Sequence, residues 1–385
     1  MAKKKILIFI DWYLPGFKAG GPIKSISALI SHFKEEYDFL IITTDSDFGE
    51  SLSYTSVPSD EWVEISDSVK VYYCSKNHLN RKKLLSVVDS INFDKVYLNS
   101  FFSFYFSIYP LLLKKKGKLK EPIILAPRGM LGDGALQIKS FKKKTFIFLS
   151  KLLSLHKKIT WHATSQEECK EIVAVFGTNA KIIIASNLQN KNDSVLIAPP
   201  IAQKREGETK LFYLSRISEK KNLLFALDIL NQLKTNVKIV FDIIGPVEDA
   251  VYWNKCLEKI KKLPASIQVN FVGALPNSQI ADKIKDAHFL FLPTLNENYG
   301  HVIVESWMNG KPVIISNQTP WRNLKVQNIG WDLSLDNPEK FLSVIIECLA
   351  MNQQNYDTVS KTAFDYAIKH IDNPHTIQQN RLLFQ

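Results

Sequence analysis

Two glutamates with seven residues between them, Glu297 and Glu305, are the residues whose types and spacing point most directly to chemistry. The apolar segment 289–292 precedes them and a second apolar segment, 312–316, follows them. This pattern predicts a strand, a loop, a helix and another strand. Ligands bind at the loops that leave the carboxyl ends of the strands in an open α/β sheet. We therefore expect both carboxylates at a ligand site, with Glu297 on the loop and Glu305 one turn inside the helix.

The helix expected to begin near His301 adds a site for an anion. Its first amide groups have no partner within the helix, and the helix dipole makes this end positive, so it favours a phosphate. His301 and Glu305 are four residues apart and therefore share one helical face. A carboxylate one turn beyond a bound phosphate would accept hydrogen bonds from hydroxyls, such as those of a ribose, rather than bind the phosphate itself.

Arg216 and Lys221 flank a loop between a predicted strand, 210–215, and a predicted helix, 223–233. Two cations at the carboxyl end of a strand are well placed to neutralise a diphosphate, although either could be an ordinary surface charge. Together with the helix end they favour a nucleotide-diphosphate sugar whose sugar ring reaches Glu297. The two glutamates could also be the acid and base of a hydrolase, which would leave the cations unexplained.

A glycine pair, Gly20 and Gly21, separates a predicted first strand, 5–10, from a predicted first helix, 23–33. Glycines at this point let the backbone approach a ligand closely, and the helix end presents amides to an anion. A tight turn without a ligand explains the same residues equally well. The spacing is not the Gly-x-Gly-x-x-Gly of dinucleotide-binding folds, which counts against NAD.

Arg128 follows another predicted strand, 123–126, and has glycines beside it. An arginine at the carboxyl end of a strand can hold a phosphate through two hydrogen bonds, so we expect a ligand contact here. A surface arginine in a flexible loop is the alternative.

Length and element order indicate two domains, because 385 residues exceed the usual size of a single core. Short apolar segments alternate with helical segments in both halves, which predicts doubly wound parallel sheets. A polar segment that contains two adjacent prolines, 187–209, separates the halves. We predict a first domain at 1–190, a second domain at 205–365, and a last helical segment, 366–385, that packs back on the first domain.

The net charge of +11 is concentrated in the first half of the chain. Between residues 76 and 158 the sequence has 18 Lys and Arg but 4 Asp and Glu. Lysines and apolar residues are interleaved between Lys114 and Lys158, as in surfaces that bind anionic membranes. A solvated lysine face on an ordinary helix is the alternative. We expect no nucleic-acid partner, because the basic region lacks a recognisable binding motif.

Cysteine usage and hydropathy indicate a cellular compartment. The four cysteines are far apart, which fits a reducing cytosol and argues against a disulfide framework or a zinc site. No run reaches the roughly 18 apolar residues of a membrane span. We expect a cytoplasmic protein, peripheral on the inner face of the plasma membrane where the basic region contacts lipid.

The segment 296–314 (Asn-Glu-Asn-Tyr-Gly-His-Val-Ile-Val-Glu-Ser-Trp-Met-Asn-Gly-Lys-Pro-Val-Ile) resembles the signature of the retaining family 4 glycosyltransferases. Ser215-Arg216 with Lys221, and the Gly20-Gly21 loop, fall where that family has its diphosphate-binding cations and its N-terminal glycine loop. The resemblance covers nearly the whole chain in order. It implies an α/β chain of the GT-B fold, in which two Rossmann-like doubly wound domains face each other across a cleft.

Three shorter segments extend the resemblance. Lys18-Ala19-Gly20-Gly21 is similar to the Lys-x-Gly-Gly of glycogen synthases. Arg128-Gly129-Met130-Leu131 and Thr319-Pro320-Trp321 resemble the branch of the family that acts on bacterial surface polysaccharides. These segments imply that Lys18 and Arg128 contact the acceptor or a phosphate. Many family members place a histidine of the first domain near the reacting sugar, whereas this chain has Arg128 in the comparable Pro-Arg-Gly loop.

By the same resemblance, Glu305 binds the ribose hydroxyls, and Arg216 and Lys221 bind the diphosphate. Glu297 lies near the transferred sugar, and Gly20 and Gly21 contribute to donor binding. The backbone amides of three further residues hold phosphate and sugar hydroxyls: Tyr299, Gly300 and His301. The first domain then binds the acceptor and the second binds the donor.

The implied activity is transfer of a hexose-type sugar from a nucleotide-diphosphate sugar to a hydroxyl of a glycan or polyprenyl-linked acceptor, with retention of anomeric configuration. No divalent metal and no other cofactor is expected, because the cations and the helix end oppose the charge on the leaving phosphate. A nucleotide-sugar epimerase or hydrolase on the same fold is an alternative. A catalytically inactive, membrane-binding relative is another.

Overall fold

The structure is a computed structural model that describes residues 3–132, 136, 140–190, 198–233, 238–371 and 373–385. Contacts divide the chain into two compact units, Met1–Asn192 with Asn373–Gln385, and Asp193–Asp372. The division after residue 192 falls between the domain limits predicted from the sequence, 190 and 205. Each unit has its own sheet.

The sheet of the first unit contains eight described strands in the order β3-β4-β2-β1-β5-β6-β7-β8. Neighbouring strands are parallel except β3, an antiparallel edge strand beside β4 that the sequence pattern did not predict. Their bounds are β1 (Lys4–Phe9), β2 (Tyr37–Thr44), β3 (Trp62–Ser66), β4 (Val69–Cys74), β5 (Lys95–Leu98), β6 (Ile123–Leu125), β7 (Thr160–Ala163) and β8 (Lys181–Ile184).

Both faces of this sheet are covered, as the residues of β1 show. Leu7 and Phe9 belong to one buried cluster, whereas Ile6 and Ile8 belong to another. Because successive side chains of a strand point to opposite faces, the two clusters lie on opposite sides of the sheet. A sheet buried on both faces is the doubly wound arrangement that the continuous apolar strands predict.

The helices of the first unit are α1 (Gly21–Phe33), α2 (Arg81–Asp89), α3 (Tyr109–Lys115), α4 (Ser140–Leu152) and α5 (Gln166–Phe176), and a π-helical turn, Phe104–Ile108, precedes α3. Asn80 and Ser165 cap α2 and α5 with their side chains. The basic region between Lys114 and Lys158 includes α4, and its residues 133–135 and 137–139 lie outside the described part. Within the described ranges, no helix is long and apolar enough to cross a membrane.

The sheet of the second unit contains six described strands, all parallel, in the order β11-β10-β9-β12-β13-β14. The strands are β9 (Glu208–Leu214), β10 (Lys238–Ile244), β11 (Ile267–Gly273), β12 (Phe289–Leu292), β13 (Val313–Ser316) and β14 (Gly330–Leu333). The helices are α6 (Leu223–Asn231), α7 (Ala250–Ile260), α8 (Asn277–Ile284), α9 (His301–Met308), α10 (Pro338–Ala350) and α11 (Gln353–Ile371).

The strand orders place one topological switch point in each sheet. In the first sheet the chain winds outward from β1 in one direction and from β5 in the other. In the second sheet it winds outward from β9 and from β12 in the same way. Ligands of open α/β sheets bind outside the carboxyl ends of the strands at such points. The residues that follow β1, β5, β9 and β12 are therefore the best placed to bind a ligand.

The last segment of the chain packs on the first unit through α12 (Pro374–Arg381) and the residues after it. Arg381 forms two 2.9 Å hydrogen bonds with the carboxylate of Glu36 through Nε and Nη2. Phe384 is fully buried against the rings of Tyr37 and Tyr97. A bidentate ion pair and a buried aromatic ring explain why this segment belongs with the first unit rather than the second.

Three buried histidines are expected to make the folded state less stable at acidic pH. Burial lowers the pKa of His156 and His288 to about 4 and that of His162 to about 3, from an ordinary 6.5. Because the folded state disfavours the charged form, their stabilising contribution is full above pH 6.5 and is lost as the pH falls toward 4. Each histidine is expected to lower the free energy of unfolding by about 2 kcal/mol between pH 7 and pH 5.

Urea unfolding at pH 7 and pH 5 measures this loss. His288→Gln should flatten the pH dependence, whereas His375→Gln, at an exposed position, should retain the wild-type slope. Equal slopes for the wild type and both variants would contradict the assignment to His288.

Candidate functional site

The loops that follow β9, β12 and β13 in the second unit are tied together by their backbones. The amide of Leu295 donates to the carbonyl of Lys220 over 2.9 Å, which joins the β12 loop to the β9 loop. The amide of Glu297 donates to the carbonyl of Gln318 over 2.8 Å, which joins the β12 loop to the β13 loop. The loops at the switch point therefore form one supported platform.

Lys221 and Glu297 meet on this platform, although they are 76 positions apart in the sequence. Lys221 Nζ donates to the carboxylate of Glu297, and the two side chains are 11% and 13% exposed. Lys221 ends a short 3₁₀ turn, Glu219–Lys221, and Asn222 follows it in the left-handed conformation. The amide side chain of Asn222 donates to the carbonyl of Pro293 over 3.0 Å. An opposite-charge pair thus stands at the switch point.

Arg216 lies on the same β9 loop but has a different carboxylate partner. Its Nη1 donates to Glu248 over 2.9 Å, and both side chains are about one-third exposed. Glu248 follows β10 and was not among the residues singled out from the sequence, because no motif marks it. The pair keeps Arg216 at the carboxyl edge of the sheet, with 32% of its side chain exposed.

The first turn of α9 has the geometry of an anion site. Gly300 precedes the helix with a φ of 81°, and no side chain caps this end. A Cβ at Gly300 would lie 2.7 Å from Cδ1 of Ile303 and 3.1 Å from Cγ of Glu297. Only glycine accommodates both the left-handed backbone and this close approach. The amide of Ile303 donates to the carbonyl of Gly300 over 2.9 Å, and the positive end of the helix dipole at this point favours an anion.

The side chains of Tyr299 and His301 belong to the protein interior and not to an open site. Both are less than a tenth exposed, and their rings are 4.8 Å apart. The hydroxyl of Tyr299 lies 3.1 Å from Nε2 of His370. Trp321 donates from its indole nitrogen to the carbonyl of Tyr299 over 2.6 Å. Any contribution of Tyr299 and His301 to a ligand would thus come from the backbone, which Trp321 holds in place.

Glu305 is half-buried on α9, one turn after His301. Asn296, at the start of the same loop, has a buried Oδ1 that no donor of the described residues reaches. A buried acceptor without a partner is uncommon in folded proteins and is often completed by a ligand or water. Asn296 begins the glutamate motif, but its acceptor role depends on burial and could not be read from the sequence.

In the first unit, Gly20 and Gly21 form the junction between the β1 loop and α1. Gly20 has a φ of 69°, and no side chain caps the helix. Lys18 forms an ion pair with Glu50, so its ammonium already has a carboxylate partner. Asp47 accepts hydrogen bonds from the amides of Phe17 and Lys18 at 2.9–3.2 Å and fixes this loop. The ligand contacts assigned to Gly20, Gly21 and Lys18 stay predictions.

Arg128 is directed into the first unit rather than lying on a flexible surface loop. Its Nε donates to Asn99 over 2.6 Å, its Nη2 donates to the hydroxyl of Tyr97 over 2.8 Å, and its Nη1 donates to Asn187. Its φ of 56° places it in the left-handed region. The guanidinium therefore ties the carboxyl ends of three strands together, and the phosphate contact expected for it stays a prediction.

Asp11 and Ser103 meet at the switch point of the first sheet, after β1 and β5. Ser103 Oγ donates to Oδ1 of Asp11 over 2.6 Å, and Ser103 also caps the π-helical turn. Burial raises the pKa of Asp11, and the hydrogen bond from Ser103 opposes that rise. The sequence marks Asp11 only weakly, as the polar residue that directly follows the apolar segment ending at Ile10. Its position relative to β5 could be known only from the fold.

An Asp-x-Asp triplet, Asp45-Ser46-Asp47, follows β2. Asp45 Oδ2 accepts hydrogen bonds from Ser53 and Ser59, at 2.6 and 2.7 Å. The carboxylate of Asp47 accepts hydrogen bonds from the backbone amides of Phe17 and Lys18. Among the residues that the structure describes, no group of three His, Cys, Asp or Glu could hold a metal ion.

Comparison with protein families gives a match to glycosyl transferases group 1 over residues 197–361. This segment is therefore similar to that family, and we call residues 197–361 the group 1 domain. The group 1 domain contains the candidate residues of the second unit: Arg216, Lys221, Glu297, Tyr299, Gly300, His301 and Glu305.

The capsular polysaccharide biosynthesis glycosyltransferase CapH of Staphylococcus aureus is 24% identical over 249 residues, which cover 56% of this chain and 64% of CapH. The chain matches 60% and 64% of the lengths of two curated relatives. Each match covers a little more than half of this chain, 58% and 56%.

Two solved structures extend the comparison beyond the group 1 domain to the whole chain. Anabaena Alr3699/HepE in complex with UDP-glucose matches with a TM-score of 0.69 at 15% identity, covering 99% of each chain. Sucrose-phosphate synthase from Thermosynechococcus elongatus matches with a TM-score of 0.71 at 14% identity, covering 100% of this chain and 99% of that one. The predicted fold class, two α/β domains of the GT-B type, is confirmed.

Proposed function

We propose that this chain is a retaining glycosyltransferase of family 4 that takes part in surface polysaccharide biosynthesis. It would transfer a hexose-type sugar from a nucleotide-diphosphate sugar to a hydroxyl of a glycan or polyprenyl-linked acceptor. The observation that carries the proposal is the Lys221–Glu297 pair at the switch point of the second sheet. The group 1 domain and the likeness to CapH support it. UDP-glucose is the first donor to test, since HepE was solved with it.

The proposed chemistry follows from where charge develops. As the bond between the sugar and the diphosphate breaks, negative charge grows on the leaving phosphate and positive charge grows on the sugar ring. Lys221, Arg216 and the start of α9 would oppose the negative charge, and Glu297 would stabilise the positive charge. Removing one group that stabilises a transition-state charge typically costs about 2.7–4 kcal/mol.

Glu305 is assigned to the other end of the donor. Its carboxylate, one turn from the start of α9, would accept hydrogen bonds from the two ribose hydroxyls. The amides of Tyr299, Gly300 and His301 would then hold phosphate and sugar hydroxyls between the two glutamates. With retention, the acceptor hydroxyl attacks on the face that the leaving group occupies, and the departing phosphate takes its proton. No metal is needed for these steps.

We assign acceptor binding to the first unit. A carboxylate at the switch point, Asp11, is suited to accept a hydrogen bond from an acceptor hydroxyl, while Ser103 fixes its orientation. Lys18, Arg128 and the Gly20–Gly21 loop stay candidates for phosphate or acceptor contacts. We place the reaction in the cytoplasm, at the inner face of the plasma membrane, where a polyprenyl-linked acceptor would be reached.

Sugar transfer tests the proposal directly. The chain is incubated with UDP-, GDP- and ADP-sugars, with and without polyprenyl-phosphate-linked glycans, in excess EDTA, and products are followed by NMR. A glycoside with the donor's anomeric configuration, formed only with acceptor, is the expected result. Epimerised donor or free sugar without acceptor would instead show an epimerase or a hydrolase. Absence of both nucleotide binding and turnover would point to an inactive relative.

Glu297→Gln gives a sharper test, because it should move binding and turnover in opposite directions. Glutamine keeps the shape but removes a negative charge beside Lys221, so UDP should bind several-fold more tightly. Transfer should fall at least about tenfold, because the developing charge on the sugar loses its partner. Calorimetry and an assay of UDP release measure the two effects, and weaker UDP binding would contradict the assigned arrangement.

A further inference from the structure

The helix α4 of the basic region is anchored by one face only. Ile147 is 9% exposed and Ser150 is 1% exposed, and both face the core of the first unit. Phe146 lies between these buried positions and the solvent, with its ring 5.7 Å from that of Phe101 and 5.8 Å from that of Phe102. These contacts hold α4 on the protein without using its opposite side.

The opposite side of α4 exposes large apolar side chains to solvent. Phe141, Phe148 and Leu152 are 84%, 67% and 70% exposed. At spacings of seven and eleven residues they lie on one face of the helix, and Leu149, at 46% exposure, lies beside them. Single exposed apolar residues are ordinary, whereas an aligned set on a helix indicates a surface that contacts something apolar. We name these four residues the apolar stripe.

Lysines flank the apolar stripe on both sides. Lys142 projects on one side, and Lys144 and Lys151 project on the other, all of them exposed. Lys157 and Lys158 follow the helix and are also exposed. From residue 140 to residue 158 the sequence has six lysines and no aspartate or glutamate. An apolar stripe bordered by lysines is the pattern of a helix that lies in a membrane interface.

We propose that α4 inserts its apolar stripe among the acyl chains of an anionic phospholipid surface while its flanking lysines contact the headgroups. Charge decides between this partner and others. A second copy of the chain would bring two lysine-rich faces without acidic residues against each other, which is repulsive. A nucleic acid would use the lysines but leave the apolar stripe in water. The proposal names the membrane surface and does not depend on sugar transfer.

Sedimentation with vesicles of phosphatidylcholine, with and without phosphatidylglycerol, tests the intact chain. The wild type should bind the vesicles that contain phosphatidylglycerol and lose most of that binding in high salt. The triple variant Phe141→Ser/Phe148→Ser/Leu152→Ser should bind at least about 100-fold more weakly, since three apolar side chains no longer enter the lipid. Lys142→Ala and Lys144→Ala should each weaken binding roughly fivefold.

A matched control removes three apolar residues of similar exposure elsewhere on the chain. Leu52, Val251 and Val326 are 79%, 70% and 89% exposed, and the triple serine variant at these positions should bind vesicles as the wild type does. Thermal unfolding and UDP binding should be unchanged in both triple variants, which separates this proposal from the proposed transfer. Equal vesicle binding by the α4 variant and the wild type would overturn the proposal. A wild-type chain that is dimeric, together with a triple variant of α4 that is monomeric, would also overturn it.

Discussion

Lys221→Met is expected to lower the rate of sugar transfer by about 100-fold to 1,000-fold. Methionine keeps the length of the side chain but cannot neutralise the leaving diphosphate. It also leaves the carboxylate of Glu297, 13% exposed, without its cation. Both effects raise the energy of a complex in which negative charge increases at this point. UDP binding should weaken at the same time, by at least about tenfold, because the product carries the same charge.

The control for this variant is Lys259→Met, in the same unit. Lys259 pairs with Asp228 much as Lys221 pairs with Glu297, but its side chain is 44% exposed and it lies on α7, away from the strand ends. Exposed pairs contribute little, so this variant should transfer sugar and bind UDP as the wild type does. A Lys221→Met variant with the turnover of Lys259→Met would refute the assigned role of Lys221.

Glu305→Ala is expected to weaken donor binding at least about 100-fold and to reduce transfer below detection at ordinary donor concentrations. Hydrogen bonds to a charged group are worth about 1.5–3 kcal/mol each, and the proposal assigns two ribose hydroxyls to this carboxylate. Glu305→Gln should retain part of the affinity, because the amide oxygen still accepts one hydrogen bond. The loss should be seen equally with UDP and with the nucleotide sugar, since both have the ribose.

A nucleotide without ribose hydroxyls provides the internal control. The 2′,3′-dideoxy form of the diphosphate should bind the wild type and Glu305→Ala with nearly the same affinity. Glu339→Ala removes an exposed glutamate from the first turn of α10 and should change neither affinity. A fall in dideoxynucleotide affinity as large as that for UDP would mean that Glu305 supports the loop rather than the ribose.

The sequence predicted most of the architecture because local patterns determine it. Continuous apolar strands such as Phe289–Leu292 can only be buried on both faces, so their alternation with helices gives parallel, doubly wound sheets. The edge strand β3 was missed because its residues, Trp62–Ser66, are mostly exposed and form no apolar run. Its antiparallel pairing depends on the short connection to β4, which favours a hairpin.

The sequence predicted which loops form the candidate site, but it did not predict which side chains contact each other there. Strand ends place Lys221 and Glu297 at the same sheet edge, yet their pairing follows from the strand order, which puts β9 beside β12. The strand order also brings Glu248 to Arg216 and Ser103 to Asp11. No local pattern in the sequence specifies these partners, because each pair joins residues more than 30 positions apart.

The sequence also does not specify the direction in which a side chain points, as Arg128 and α4 show. A cation after a strand suggests a ligand contact, but Asn99, Tyr97 and Asn187 draw this guanidinium into the protein. The basic region was recognised from composition, whereas the exposed face of α4 depends on which side packs against the core. Burial of Ile147 on one side is what leaves Phe148 open on the other.

Calorimetric titration of the intact chain with UDP, GDP and ADP tests the central claim, that Lys221 and Glu297 mark the binding site of a nucleotide diphosphate. The account predicts that at least one of the three binds with one site per chain. Its dissociation constant should increase at least about tenfold in Lys221→Met and stay unchanged in Lys259→Met. Failure of all three nucleotides to bind the wild type, or equal affinity for both variants, would contradict it.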